Sequence, residues 1–177
     1  MSRELIITMT AANRAGILSA VTKAMGELGA DLREMSQTVV RGFFTMIFSA
    51  EFPENIDEGI IRDHLNDVCR PFDIEIGVKD PARDLSDSGN GTNSQIHALR
   101  IGGNNRPGVL RKLSSVLSIR RVDITGMHAV RTSDAAGFEM VMKVAVPTEC
   151  GIEDLLKELQ AAGEPFEATV ELRDVPV

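Results

Sequence analysis

Two short segments of the chain carry the residue pattern of a loop suited to binding a small anion. They read Asn-Arg-Ala-Gly-Ile-Leu at residues 13–18 and Asn-Arg-Pro-Gly-Val-Leu at residues 105–110. Apolar residues at helical spacing follow each glycine, so the glycine lies at the predicted start of a helix. The unpaired N–H groups of a first helical turn favour a carboxylate, and a glycine there lets the ligand approach the backbone. The pattern also fits a plain helix cap, with the asparagine as the capping residue and the glycine relieving a tight turn.

An aspartate follows each of these predicted helices. Asp31 comes directly after Ala30 and Asp123 directly after Val122, and each begins a segment with the pattern of a strand. A carboxylate at this position can accept hydrogen bonds from a cationic group of a ligand. Alternatively, both aspartates end tight turns and are solvated.

Residues for catalysis or metal binding do not form a comparable pattern. The three histidines are scattered, and Cys69 and Cys150 lack the spacing of a zinc site or a disulfide framework. No Ser-His-Asp, Cys-His or paired-carboxylate arrangement recurs, and no phosphate-binding glycine loop is present. We therefore expect no enzyme activity, no metal and no cofactor. An active site assembled from His128, Asp123 and Cys150 is an alternative.

The two loops belong to a tandem repeat. An offset of 92 residues aligns them and also aligns Asp31 with Asp123. Beyond a two-residue insertion the offset is 94, which aligns residues 44–48 with residues 138–142. The predicted copies span residues 1–80 and 96–177. Residues 81–95 between them are rich in Ser, Gly and Asn, a composition typical of a flexible linker.

Each copy shows the periodicities of the element order βαββαβ. In the first copy these are an alternating strand at residues 5–10, an amphipathic helix at 17–28, a hairpin at 31–52, a second helix at 56–68 and a last strand after Pro71. This order predicts an α+β fold of two ferredoxin-like units, each a four-stranded antiparallel sheet with two helices on one face. A core of about 80 residues is marginal and leaves the other sheet face to water, so we expect the copies to associate.

The composition limits the classes of partner. The 177 residues include 19 Lys and Arg against 26 Asp and Glu, a net charge of −7. No stretch approaches the roughly 18 to 20 apolar residues of a membrane span. The second copy has a basic run, but the absence of Trp and Tyr and of a helix-turn-helix pattern argues against nucleic-acid binding. We expect a cytoplasmic protein without a membrane partner and without direct contact to nucleic acid.

The loops, the repeated βαββαβ order and the aspartate at the start of the second strand resemble the ACT domain, a family of small regulatory modules that bind amino acids. Residues 105–110 match the loop pattern of that family closely, whereas Ala15 stands in the first copy where proline is usual. The resemblance covers both copies. As a tandem pair, the chain resembles the double-ACT group that contains the glycine cleavage system transcriptional repressors.

The resemblance implies where a ligand would bind. In ACT regulatory domains the ligand lies between two modules, held by the first-strand loop of one and the start of the second strand of the other. The matching positions are Asn13, Gly16, Ile17, Leu18, Asp31 and Leu32 in the first copy and Asn105, Gly108, Val109, Leu110, Asp123 and Ile124 in the second. Many amino-acid-binding members carry an amide at the aspartate position, which leaves the identity of the ligand open, with glycine and serine as candidates.

The resemblance therefore predicts a non-enzymatic regulatory protein that senses a small amino acid and acts through a protein partner. Its expected role is the control of glycine cleavage or amino-acid metabolism genes, and its expected state is a homodimer. The alternative is a structural protein-interaction module whose loops bind no ligand.

Overall fold

The chain forms two compact units, Met1–Gly89 and Asn90–Val177, which we call domain 1 and domain 2. The structure is a computed structural model, and it describes residues 2–85, 93–104, 106–133 and 136–173. Each domain contains one four-stranded antiparallel sheet and two long helices. The predicted α+β fold of two ferredoxin-like units is confirmed.

Domain 1 has the predicted order of elements. They are β1 (Ser2–Ala12), α1 (Ile17–Glu27), β2 (Asp31–Val40), β3 (Phe43–Pro53), α2 (Glu58–Cys69), β4 (Glu75–Lys79) and a short additional helix α3 (Pro81–Asp84). The strand order in the sheet is β2-β3-β1-β4. A single 3-10 turn, Arg70–Phe72, joins α2 to the segment that leads into β4.

Domain 2 repeats this architecture. Its elements are β5 (Ser94–Asn104), α4 (Val109–Ile119), β6 (Asp123–Arg131), β7 (Gly137–Pro147), α5 (Ile152–Gly163) and β8 (Thr169–Arg173). The strand order is β6-β7-β5-β8, and the 3-10 turn Glu164–Phe166 follows α5. Within the described residues, no helix is long and apolar enough to cross a membrane.

The core of each domain lies between the sheet and its two long helices. Leu5, Ile7 and Met9 alternate along β1 and are buried, and Val21 of α1 and Leu65 of α2 are buried with them. Alternate strand residues point to one face, while helix residues three and four apart share a face, so both patterns meet in one apolar layer. Domain 2 has an equivalent separate core.

The segment between the domains is shorter than the predicted linker 81–95. The Asp80 carboxylate accepts a hydrogen bond from Ala82 N–H at 3.0 Å and so begins helix α3 at residue 81. At the other end, Ser94 and Gln95 belong to β5, where Ser94 pairs with Pro147. The predicted bounds of the linker, residues 81 and 95, were wrong, because an aspartate followed by proline starts a helix and because strand pairing continues into the polar sequence. Residues 86–92 lie outside the described residues.

Candidate functional site

The loop between β1 and α1 and its counterpart between β5 and α4 have the same backbone conformation at the helix start. Gly16 has φ 99° and ψ −12°, and Gly108 has φ 98° and ψ −10°. Residues with a side chain rarely adopt a φ in this range. The turn of the chain into each helix therefore requires glycine.

Each of these glycines also packs against an aromatic ring of its own domain. A Cβ atom at Gly16 would lie 3.3 Å from Cζ of Phe72, and one at Gly108 would lie 3.6 Å from Cε1 of Phe166. Both phenylalanines belong to the 3-10 turn that follows the second long helix. The repetition of the glycine is thus explained by backbone conformation and packing even without a ligand.

The first N–H groups of α1 and α4 are available to a ligand. The first intrahelical bonds run from Ala20 N–H to Gly16 O and from Lys112 N–H to Gly108 O, both at 2.9 Å. Within the described ranges, no group accepts from the three N–H groups that precede each donor, and no side chain caps either helix. An anion would satisfy these N–H groups.

Of the two loop asparagines, Asn13 belongs to the described residues. The alternative in which the Asn13 side chain caps α1 was wrong, because Gly16 occupies the cap position. Asn13 instead donates its backbone N–H to Gly42 O at 2.8 Å and so ties the loop to the turn between β2 and β3. Asn105 lies outside the described residues.

The apolar residues after the glycines divide into core and surface. Ile17 and Val109 are buried in the cores of their domains, so only their backbone groups face a ligand at the helix start. Leu18 and Leu110 keep 44% and 42% of their surface exposed. Of the four apolar residues that follow the glycines, these two are therefore the ones whose side chains are open to a ligand.

Asp31 and Asp123 begin β2 and β6, as predicted, but lie at the opposite end of the sheet from the glycine loop of their own domain. Asp31 pairs with Glu51 of β3, which pairs with Glu4 near the start of β1, whereas the loop follows Ala12 at the end of β1. About eight residues of strand, or about 26 Å, separate these two ends. Domain 2 has the same register. The loop and the aspartate of one domain therefore cannot touch one small ligand.

The two aspartates differ in their electrostatic surroundings. Asp31 Oδ2 lies 3.2 Å from Nη2 of Arg33, which also lies 3.1 Å from Glu51 Oε2. The hydrogen bond from Arg33, with a second one from Ser2, holds the pKa of Glu51 below its ordinary value. Asp123 makes no ion pair or side-chain hydrogen bond with any residue the structure describes. Leu32 and Ile124, which follow the two aspartates, are half-buried.

The two loop arginines differ in the same way. Arg106 forms an ion pair with Glu167 and donates from Nη1 to the carbonyl oxygen of Pro165 at 3.3 Å. Asn104 donates to the same glutamate. Arg14 makes no ion pair with any described residue. Sequence reasoning missed the roles of Arg33 and Glu167. The repeat alignment does contain a signal, since the two copies differ at these positions: Thr125 stands at the position of Arg33, and Asp73 at that of Glu167.

Further cations surround the loop of domain 2. A cavity of about 330 Å³ beside Gly108 is lined by Arg111, Lys112, Ser115 and Phe166. At the positions of Arg111 and Lys112, domain 1 has Ser19 and Ala20. In the described part of the chain, no group of three His, Cys, Asp or Glu side chains is arranged to hold a metal ion.

Comparison with protein families agrees with this architecture. Residues 3–79 and residues 97–164 match models described as the ACT domain. The chain belongs to the ACT-domain family and contains two ACT domains in tandem.

Relatives with known sequences match about one ACT domain of the chain. A UPF0237 protein of Corynebacterium diphtheriae is 32% identical over 78 residues, which cover 44% of this chain and 88% of that protein. A UPF0237 protein of Methanosarcina mazei is 32% identical over 79 residues, which cover 44% of this chain and 86% of that protein.

Two solved structures are similar along nearly the whole chain. An unknown protein from Galdieria sulphuraria has a TM-score of 0.83 at 17% identity, covering 99% of this chain and 100% of that one. A candidate glycine cleavage system transcriptional repressor has a TM-score of 0.68 at 14% identity, covering 100% of this chain and 99% of that one. At such identities the likeness shows a shared fold.

Proposed function

We propose that the protein is a non-enzymatic regulator that senses a small amino acid at a junction between ACT domains and acts through a protein partner. The observation that carries the proposal is the separation of two complementary features within each domain. A helix start whose first N–H groups have no acceptor among the described residues lies at one end of the sheet, and an exposed aspartate lies at the other. An α-carboxylate and an α-ammonium group can use both features only where two domains contribute to one site.

The proposed ligand is a small amino acid, with glycine and serine as the candidates. The side chains beside the ligand-binding groups are Leu18 and Leu110 at the helix starts and Leu32 and Ile124 after the aspartates. None of these four can hydrogen-bond to a large polar side chain. Recognition therefore depends on the α-carboxylate and α-ammonium groups that all amino acids share. A small amino acid binds with the lowest desolvation cost, because its side chain leaves the fewest polar atoms without a hydrogen-bond partner.

The route of regulation is proposed to be a protein partner without direct contact to DNA. Three arginines of the basic run of domain 2 are engaged in ion pairs, Arg100 with Glu139, Arg106 with Glu167 and Arg120 with Glu158. An arginine that already faces a carboxylate neutralises less phosphate charge. The likeness to a candidate glycine cleavage repressor supports control of glycine cleavage or amino-acid metabolism genes. The proposed assembly is a homodimer.

Titration calorimetry of the full chain with each amino acid in turn tests the ligand proposal. We expect saturable binding of glycine or serine and weaker binding of amino acids with large polar side chains. Binding of no amino acid would contradict the proposal. That result would support the alternative of a structural interaction module, which is favoured by the packing of Gly16 against Phe72 because this packing needs no ligand.

A further inference from the structure

We infer that two copies of the chain associate through the face of the domain 1 sheet that is turned away from α1 and α2. The two sheets lie face to face, with β1 of one copy antiparallel to β1 of the other. We call this surface the open face, and on β1 and β3 it consists of the alternate residues from Glu4 to Ala12 and from Phe43 to Glu51. The inference rests on the homodimer of the proposed function and names its surface, and it does not depend on amino-acid binding.

The middle of the open face carries no charge on the two central strands. Along β1 and β3, residues buried against the helices alternate with residues that point to the open face. Six of the latter form the middle, and they are Ile6, Thr8, Thr10, Thr45, Ile47 and Ser49. Ile47 exposes 48% of its surface at the centre of this group. An exposed apolar side chain within an uncharged surface favours association with another protein surface.

The same face of domain 2 is charged. Arg100, Glu139 and Lys143 occupy three of the six corresponding positions, and Glu171 stands where domain 1 has Gly77. Nη2 of Arg100 lies 3.0 Å from Oε1 of Glu139, and both side chains keep about half of their surface in water. Covering this face would remove charged groups from water, which costs free energy. An uncharged open face is therefore a property of domain 1 alone.

One end of the open face is negative. Where β1 begins, Glu4 pairs with Glu51 and Glu51 pairs with Asp31, so three carboxylates lie in one row across the sheet. Arg33 forms ion pairs with Asp31 and Glu51. Glu34, next to Arg33 on β2, is exposed and adds a fourth carboxylate. One guanidinium against four carboxylates leaves a surplus of negative charge at this end.

The opposite end of the open face is positive. Arg14 follows β1, and Arg41 lies in the turn between β2 and β3. The hydrogen bond from Asn13 N–H to Gly42 O holds these two segments together. Both arginines are exposed, and neither forms an ion pair with a described carboxylate. The open face is thus neutral in the middle and oppositely charged at its ends.

Such a surface is complementary to a second copy of itself. A two-fold axis that crosses the strands at Ile47 and Thr8 reverses the strand direction of the second copy, so the arginine end of one copy covers the carboxylate end of the other. The Ile47 side chains of the two copies then meet at the axis. Aligned sheets pack in this way at about 10 Å, with their facing side chains interdigitated.

The charges of edge strand β4 obey the same symmetry. Thr8 of the central row pairs with Gly77, and the exposed Glu75 and Lys79 lie two residues to either side of that glycine. Reversal of the strand direction about this row places Glu75 of one copy over Lys79 of the other, and the converse pair forms as well. The register that joins the two ends thus also matches β4.

The open face is large enough for a dimer. From Glu4 to Ala12, β1 extends about 30 Å, and four strands are about 19 Å wide. Two such faces bury about 1,000 Å² together, the lower range of specific interfaces. A cavity of about 270 Å³ beside Ile6 and Ile47 receives side chains of the second copy and reaches the edge of β2 at Met35.

Sedimentation equilibrium of the full chain tests the surface. The test variant is Ile47→Lys, and the matched control is Val141→Lys, which makes the same change at the corresponding position of domain 2. We expect a wild-type dimer and a dimer weakened about a hundredfold or more in Ile47→Lys, because two ammonium groups then meet at the axis. The control should stay within about twofold of the wild type. Thermal unfolding shows whether each variant is folded.

A charge exchange on β4 tests the antiparallel arrangement. Glu75→Lys and Lys79→Glu each set like charges against one another twice in the dimer, and each should weaken it about five- to thirtyfold. An equimolar mixture of the two variants has opposite charges at both contacts. We therefore expect the mixture to form a heterodimer about as tight as the wild-type dimer.

Four results would overturn the inference. A dimer of Ile47→Lys as tight as the wild type, or an equal loss in Val141→Lys, would place the contact elsewhere and leave the proposed homodimer intact. A mixture of the two β4 variants no tighter than either variant alone would exclude the antiparallel arrangement. A monomeric wild type would overturn both the homodimer and its surface, and it would leave amino-acid binding, which calorimetry measures separately, unaffected.

Discussion

The guanidinium of Arg3, near the start of β1, donates a hydrogen bond to Asp80 Oδ2 at 2.7 Å. Asp80 is also the residue from which α3 begins, and Arg3 forms a second ion pair with Glu58 at the start of α2. The two residues thus join the first strand, the second helix and the chain leaving domain 1. The repeat does not reproduce this network, because Gln95 stands at the position of Arg3 and Ile152 at that of Glu58.

The Arg3–Asp80 pair predicts an acid-dependent loss of stability. The hydrogen bond from Arg3 holds the pKa of Asp80 below the ordinary value of an aspartate, so the carboxylate stabilises domain 1 at pH values above about 4. This contribution is lost as the pH falls through the lowered pKa. We expect Asp80→Asn to lower the urea midpoint of unfolding at pH 7. The midpoints of this variant at pH 7 and at pH 3 should differ less than those of the wild type.

The control for this prediction is Asp63→Asn, which changes an exposed aspartate of α2 without a described ion-pair partner. It should leave both the midpoint at pH 7 and its dependence on pH close to the wild type. If Asp80→Asn and Asp63→Asn have the same pH profile, the pair with Arg3 does not contribute to stability.

Two glycines of domain 1 predict opposite effects on stability. Gly16→Ala places a side chain at φ 99° and within 3.3 Å of the Phe72 ring, and we expect it to cost about 1 to 3 kcal/mol. Gly26→Ala lies within α1, where an added Cβ meets no described atom within 4 Å. It should stabilise the helix by about 0.5 to 1 kcal/mol. Urea denaturation of the two variants measures both changes, and equal signs would contradict the assigned role of Gly16.

Gel-shift experiments at physiological salt are expected to show no sequence-specific retardation of DNA by the protein alone. Because Arg100, Arg106 and Arg120 face carboxylates, any binding should be no tighter than about 1 µM, the range of non-specific contacts. Replacing the three paired glutamates, Glu139, Glu158 and Glu167, by glutamine frees these arginines and should strengthen that non-specific binding. Tight sequence-specific retardation by the wild type would contradict action through a protein partner.

Edge strand β2 predicts a surface for self-association. It pairs with β3 on one side and with no described strand on the other, and Met35 and Val40 expose 54% and 63% of their surface. An unpaired strand edge with apolar side chains favours association. In sedimentation experiments, Met35→Lys should shift the proposed homodimer toward the monomer. Ile60→Lys on α2, which is also exposed, is the control and should leave the dimer unchanged.

The sequence was sufficient to predict the elements because their signals are local. Alternation along β1, helical spacing after Gly16 and the short Arg41-Gly42 turn each depend on a few neighbouring residues. Helix α3 was missed because four residues show no periodicity, although Asp80 followed by Pro81 is a helix-start signal. The state of the candidate site was less predictable, since the ion pair of Arg33 with Glu51 depends on the register of two strands.

The hydrogen bond from Asn13 N–H to Gly42 O makes the amide proton of Asn13 a reporter of loop opening in domain 1. An amide proton on an open loop exchanges with solvent quickly, but this one is released only when the loop parts from the turn between β2 and β3. Its exchange rate therefore reports the opening equilibrium of the loop, without a label or an added side chain. Any molecule that binds at the start of α1 and holds the loop in place would slow the hydrogen exchange of this amide.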